Sequence, residues 1–176
     1  MREQYRWMNE KSVKIYLVRH AIAAEYDPVR YPDDDRPLTE EGINKFTAAA
    51  TGLPLIIEKP NIIASSPLKR ARQTAEIIAS AYKNKIKVDI HKALTSGEDL
   101  GKQLDCLSTL AKKAASIIVV GHQPDLSLMA AALTGTKNCG IDFRKGAICR
   151  IDLDNNGGAG EIKWFLTQKV IAELCS

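Results

Sequence analysis

Short apolar runs alternate along the chain with longer stretches whose apolar residues recur at helical spacing. Lys14-Ile-Tyr-Leu-Val18 is a β-rich run closed by Arg19-His20. A polar stretch broken by prolines, Tyr26 to Pro37, follows and contains Asp33-Asp34-Asp35. Thr39-Glu40-Glu41 has the form of a helix cap with acidic first-turn residues, opening a helix to about Gly52. Ile62 to Ser65 predicts a second strand. Ser66-Pro67 is then a cap followed by a first-turn proline, and the helix runs to about Lys83. Leu68, Ala71, Ala75, Ile78, Ala79 and Tyr82 share one face of it.

Ile86 to Leu94 alternates as a third strand, and Ser96-Gly-Glu-Asp99 resembles a capping box opening a helix to about Lys113. Ser116 to Val120 has the continuous apolar character of a buried strand, and Pro124 begins a helix that stops near Gly135. Ala147 to Leu153 and Glu161 to Thr167, joined across Asn155 to Gly160, predict a terminal strand pair. The strand–helix alternation argues for an α/β fold of three layers, α/β/α, with a mostly parallel central sheet. No repeat or long linker divides the chain, so residues 1–176 are expected to form one domain, with residues 1–12 as an N-terminal extension. In such sheets the working residues lie beyond the carboxyl ends of the strands.

Composition removes several function classes. With 45% hydrophobic and 26% charged residues the 176-residue chain is an ordinary globular protein. No apolar run approaches the ~20 residues of a bilayer span, and the polar start has no hydrophobic leader segment. A net charge of +4 spread over mixed-sign sequence, with 6% aromatics, gives no footprint for nucleic acid. Cys106, Cys139, Cys149 and Cys175 form no C-x-x-C pair, which argues against a zinc or dithiol site and for reduced thiols in a cytoplasmic protein. No carboxylate cluster stands at metal-ligand spacing. Asp33 to Asp35, in a loop flanked by prolines, is expected to be solvated.

Two of the three histidines are read as carrying the chemistry. His20 closes the first strand and His122, after Gly121, closes the fourth. If those strands are parallel neighbours, both imidazoles enter one cleft. Arg19 precedes His20, and Arg70 lies in the first turn of the helix after the second strand, where free N–H groups and the helix dipole already favour an anion. A guanidinium there adds bidentate geometry suited to phosphate. Arg72, about 200° further round the helix, and Lys69 are expected to be solvated charges. His91 is expected to be a surface histidine; Trp7, Trp164, Tyr16 and Phe165 are expected to pack rather than to bind ligand.

Arg19-His20-Ala21, the ordered set Ser66, Arg70, Ala71, Gln73 and Thr74, and Gly121-His122 together resemble the signature of the histidine phosphatase superfamily, the phosphoglycerate-mutase-like fold. Arg36-Pro-Leu-Thr-Glu-Glu-Gly42 is similar to its Leu-Thr-x-x-Gly helix start. The resemblance covers the chain from about Lys14 onward and is greatest to the short SixA-type phosphohistidine phosphatases. Ala21 departs from the family's usual glycine. The resemblance implies that His20 is a nucleophile phosphorylated on a ring nitrogen. It implies too that Arg19, Arg70 and His122 bind the phosphoryl oxygens, and that no metal or other cofactor takes part.

A general acid is less easily assigned. Glu98 and Asp99, after the third strand, are the candidates, and both could instead cap the helix there; Asp35 is weaker. A phosphohistidine substrate lessens the need for an acid, and connections too short to form a lid suit a phosphate carried on a protein. The expected partner is therefore a phosphorylated protein, such as a histidine-containing phosphotransfer domain. The alternatives are a phosphatase of small phosphomonoesters using Glu98 or Asp99, and a non-catalytic phosphate-binding module.

Overall fold

The computed structural model describes residues 12–83, 85–154 and 158–174. The strands are β1 (Val13–Arg19), β2 (Ile62–Ser65), β3 (Val88–Ile90), β4 (Ser116–Gly121), β5 (Ile148–Leu153) and β6 (Glu161–Leu166). The helices are α1 (Glu40–Ala50), α2 (Leu53–Ile56), α3 (Lys69–Ala81), α4 (Leu100–Ala111), α5 (Asp125–Leu133) and α6 (Gln168–Glu173). One sheet takes all six strands in the order β3-β2-β4-β1-β5-β6. β3, β2, β4 and β1 run parallel, and β5 pairs antiparallel with both β1 and β6. This is the expected three-layer α/β fold with a mostly parallel sheet.

Period-two alternation divides the central strands between two cores. Ile15, Leu17, Ile117 and Val119 face Leu104, Leu107, Leu126 and Met129 of α4 and α5. Tyr16, Val18, Ile118 and Val120 face Phe46, Ala71, Ala75, Ile78 and Ile171 of α1, α3 and α6. Both faces are apolar, so the central strands carry unbroken hydrophobic runs. Trp164 packs on Tyr16, with ring centroids 5.8 Å apart, and Phe165 meets Phe143 edge-on.

Several boundaries differ from the sequence reading. The third strand shrinks from Ile86–Leu94 to Val88–Ile90, because its only partner, β2, supplies three pairing positions; Lys92–Leu94 turn into a 3-10 segment. The helix after β2 starts at Lys69, just after Ser66-Pro67, since Leu68 is extended; the Ser66 hydroxyl accepts from the Leu68 amide at 3.3 Å and also meets His122 Nε2. Asp99 caps α4 through Oδ1 and the Lys102 amide, in place of Ser96. The first helix ends at Ala50 and Pro54 helps start α2. α6 was not foreseen; Thr167 caps it. Trp7 and Cys175 lie outside the described residues, with most of the expected extension.

Thr39 caps α1 as expected, its Oγ1 accepting from the Gly42 amide at 3.0 Å. Gly42 has a separate duty: a Cβ there would stand 2.1 Å from the Ile22 carbonyl oxygen. The segment after His20 runs against α1 too closely for any side chain. The Leu-Thr-x-x-Gly pattern is thus a packing requirement that fixes the loop after His20. No described helix is long and apolar enough to cross a membrane.

Candidate active site

The parallel ladder that aligns Arg19 with Gly121 continues one residue further. The His20 amide donates to the Gly121 carbonyl at 3.1 Å, and the Ser66 amide to the Val120 carbonyl at 3.0 Å. Three strand ends therefore deliver His20, Ser66 and His122 to one place, with α3 adding Arg70. The two imidazoles meet with centroids 5.2 Å apart. His20 is 5% exposed, His122 2% and Arg70 5%.

The His20 tautomer follows from its partner. Nδ1 lies 2.7 Å from the Ala21 carbonyl oxygen, which can only accept, so Nδ1 carries the proton. Nε2 keeps its lone pair. Burial foremost, then the neighbouring His122, lowers the His20 pKa to about 2, although the Ala21 hydrogen bond opposes the shift. Burial and the cations of Arg70, Arg19 and Arg36 lower His122 to about 3, with Asp33 opposing. Both imidazoles are thus neutral near pH 7. A dianion between the arginines would offset their field and favour protonation of His122.

α3 does more than present a guanidinium. Thr74 Oγ1 donates to the Arg70 carbonyl at 2.7 Å and accepts from the Ala21 amide at 3.0 Å. Gln73 Oε1 accepts from the Leu38 amide at 2.8 Å. The matched Arg-Ala-x-Gln-Thr residues are therefore one cation and two braces on the loop between β1 and α1. Ser66 Oγ lies 2.8 Å from His122 Nε2 and accepts weakly from the Leu68 amide.

Arg19 donates through Nη1 to the Phe143 carbonyl at 2.6 Å. Arg70 donates through Nη1 to the Asp33 carbonyl at 2.7 Å and through Nη2 to Asp33 Oδ2 at 3.2 Å. Arg36 reaches Asp33 Oδ1 at 3.3 Å. The expectation of a merely solvated acidic run fails at Asp33, whose carboxylate bridges two arginines; Asp34 and Asp35 are exposed as expected. The Nε atoms of Arg19, Arg36 and Arg70 and Nδ1 of His122 are buried without partners. This concentration of buried, unsaturated donors suits an oxyanion.

Arg36 and Asp33 escaped the sequence reading as site residues. Arg36 lay in the quoted Arg-Pro-Leu-Thr stretch, but nothing in its spacing tied it to Arg70. Arg72 is exposed and Lys69 partly so. His91 is half-buried, not a surface residue: its amide donates to the Ser65 carbonyl and its Nε2 has no partner. Glu98 accepts from the Asp99 amide and Lys102 Nζ, which together hold its pKa below the usual value, while Asp99 caps α4. Both candidate acids serve the start of that helix.

Known proteins resemble this chain in sequence and in fold. The family described as the histidine phosphatase superfamily (branch 1) matches residues 15–99. An uncharacterised protein of Picosynechococcus sp. is 36% identical over 139 residues, which span 77% of this chain and 82% of that protein. The structure of the protein histidine phosphatase SixA complexed with tungstate superposes with a TM-score of 0.79 at 25% identity, covering 90% of this chain and 99% of that one. The phosphoglycerate mutase from Bacillus anthracis has the same fold, with a TM-score of 0.72 at 16% identity over 94% and 98% of the two chains.

Proposed function

Since the chain belongs to the histidine phosphatase superfamily, we propose that it is a cytoplasmic phosphohistidine phosphatase, hydrolysing N-linked phosphate on a partner protein through a phospho-His20 intermediate. The observation that carries this reading is the fixed tautomer of His20. Its Nδ1 proton is committed to the Ala21 carbonyl, and Nε2 offers a lone pair beside His122, within the field of Arg19 and Arg70.

In the first step the Nε2 lone pair forms a bond to phosphorus as the P–N bond to the substrate imidazole breaks. The phosphoramidate enters protonated, so the departing imidazole leaves neutral and needs no acid. In the second step water attacks phosphorus, the Nε2–P bond breaks, and both water protons leave on the product as dihydrogen phosphate. Arg19, Arg70 and a protonated His122 neutralise the equatorial oxygens throughout; positioning and charge do most of the work in phosphoryl transfer.

Three features favour a protein-borne phosphoramidate. Glu98 and Asp99 are engaged at the start of α4, which leaves no obvious proton donor for an alkoxide-like leaving group. Among the described residues the connections are short and no inserted domain stands over the site to enclose a small substrate. The SixA structure, which holds an oxyanion, matches over nearly the whole of both chains. The likeness to a phosphoglycerate mutase keeps a second reading alive, a phosphatase of small phosphomonoesters.

Rates on a phosphorylated histidine-containing transfer domain and on phosphoramidate, set against sugar and nucleotide phosphates, separate the two. A large preference for the esters overturns the protein-substrate reading. Radiolabelled phosphate trapped on the chain and lost in His20→Ala tests the intermediate; no label with any donor favours a binding module without catalysis.

A further inference from the structure

The turn that leads into β5 is fastened to the nucleophile's own backbone. The Gly146 amide donates to the carbonyls of Arg19 and His20 at 3.1 and 3.2 Å, and the Arg19 amide donates to the Ala147 carbonyl at 3.1 Å. The Arg19 guanidinium closes the loop through the Phe143 carbonyl. Gly146 adopts φ +75°, a conformation that suits glycine, and so completes a tight turn with Lys145 at its apex.

Lys145 is partly buried, and among the described residues its side chain has no hydrogen bond or ion pair. Its surroundings are cationic. Burial, then Arg19, Arg36 and Arg70, lower its pKa, and the opposing influence of Glu25 is the smallest of those acting on it. Within this group Asp33 is already shared between Arg36 and Arg70. A partly buried ammonium in the field of three guanidiniums is unfavourable in the protein alone and becomes favourable once a multivalent anion joins them.

We propose that Lys145 is a further ligand of the phosphoryl group, bringing an ammonium to its oxygens from the β5 turn. It adds a mobile point charge to the fixed forks of Arg19 and Arg70, able to follow the oxygens as phosphorus inverts. Lys145 has this role only if the Arg19–Arg70 cluster is itself a phosphoryl site, so the test measures the two separately.

Trace acetylation with acetic anhydride, read residue by residue by mass spectrometry, reports the reactivity of Lys145 with and without inorganic phosphate. At phosphate ten times its dissociation constant, protection of Lys145 is expected to reach about tenfold, with Lys59 and Lys137 unchanged. Calorimetry with phosphate is expected to show binding weakened about ten- to a hundredfold in Lys145→Met, the range of a lost hydrogen bond to a charged group. Lys145→Arg should keep most of it. The urea midpoint of Lys145→Met should equal or exceed that of the parent, because the ammonium has no partner to lose.

Unchanged phosphate affinity in Lys145→Met, with Lys145 unprotected, overturns the Lys145 role while leaving the phosphoryl site intact. Weakened action on a phosphoprotein with unchanged phosphate affinity also overturns it, making Lys145 a contact to the carrier. Absence of phosphate binding by the parent overturns both.

Discussion

The amide of Ala21 donates to Thr74 Oγ1 at 3.0 Å, joining the residue after His20 to the second turn of α3. The same hydroxyl donates to the Arg70 carbonyl, so one side chain sets the spacing between the His20 imidazole and the Arg70 guanidinium. Thr74→Val keeps the shape and removes the acceptor, leaving a buried amide unpaired. Urea denaturation should show a loss of about 1–3 kcal/mol. kcat should fall more than KM rises, since His20 and Arg70 are no longer held in register. Thr74→Ser should keep activity within a few-fold. A Thr74→Val protein as stable as the parent would show that the Ala21 amide finds another partner.

Asp33 lies between Arg36 and Arg70 and presents one negative charge where a phosphoryl dianion would also be attracted. Its carboxylate is about half exposed, so the coupling is that of a screened ion pair, about 0.2–1 kcal/mol. Asp33→Asn retains the main-chain carbonyl that binds Arg70 Nη1. Inhibition by inorganic phosphate or vanadate should tighten about 1.4- to fivefold, the equivalent of that energy. Weaker inhibition would mean that the carboxylate aligns Arg70 more than it competes for it.

Acid should destabilise the protein through its two buried histidines. Both have folded-state pKa values far below 6.5, at about 2 and about 3. Between pH 3 and 6.5 the unfolded chain binds protons that the folded chain refuses, so stability rises with pH across that window and levels off above it. Each group contributes a slope of at most about 1.4 kcal/mol per pH unit. Urea titrations in phosphate-free buffer should show the slope of His20→Asn reduced by about that amount between pH 4.5 and 6. An unaltered slope would place the acid sensitivity elsewhere.

Strand ends and helix starts were legible because their chemistry is local. An apolar run that stops at Arg19-His20, or at Gly121-His122, reports both a strand and what it carries. The pairing of β1 with β4 then follows from parallel topology, and it brings His20 to His122. Asp33 and Arg36 were not legible in the same way. Their meeting with Arg70 depends on the path of an irregular loop, held by Gln73 on Leu38 and by the approach of Ile22 to Gly42. Lys145 was hidden for a related reason: it stands on a turn anchored to Arg19 and His20 by main-chain hydrogen bonds and by the Arg19 guanidinium on the Phe143 carbonyl, none of which involves its own side chain. β3 was overread because alternation continues in the sequence beyond the point where β2 can pair with it.

Ala21, where the family's usual residue is glycine, is the remaining test of how the site tolerates change. Among the described residues Lys83 is the non-glycine residue with positive φ, so Ala21 lies outside the left-handed region and bears no glycine-specific strain. Its methyl group is fully buried in the core beneath α1 and α3. Ala21→Gly removes that methyl, worth about 0.8 kcal/mol of burial, and adds backbone freedom to the unfolded chain, worth about 0.4–1 kcal/mol. The variant should therefore be less stable by about 1–2 kcal/mol. Its kcat/KM on phosphoramidate should stay within about twofold, because the Ala21 groups that matter are the carbonyl on His20 and the amide on Thr74. A tenfold gain in activity would show instead that the methyl obstructs the approach of phosphate.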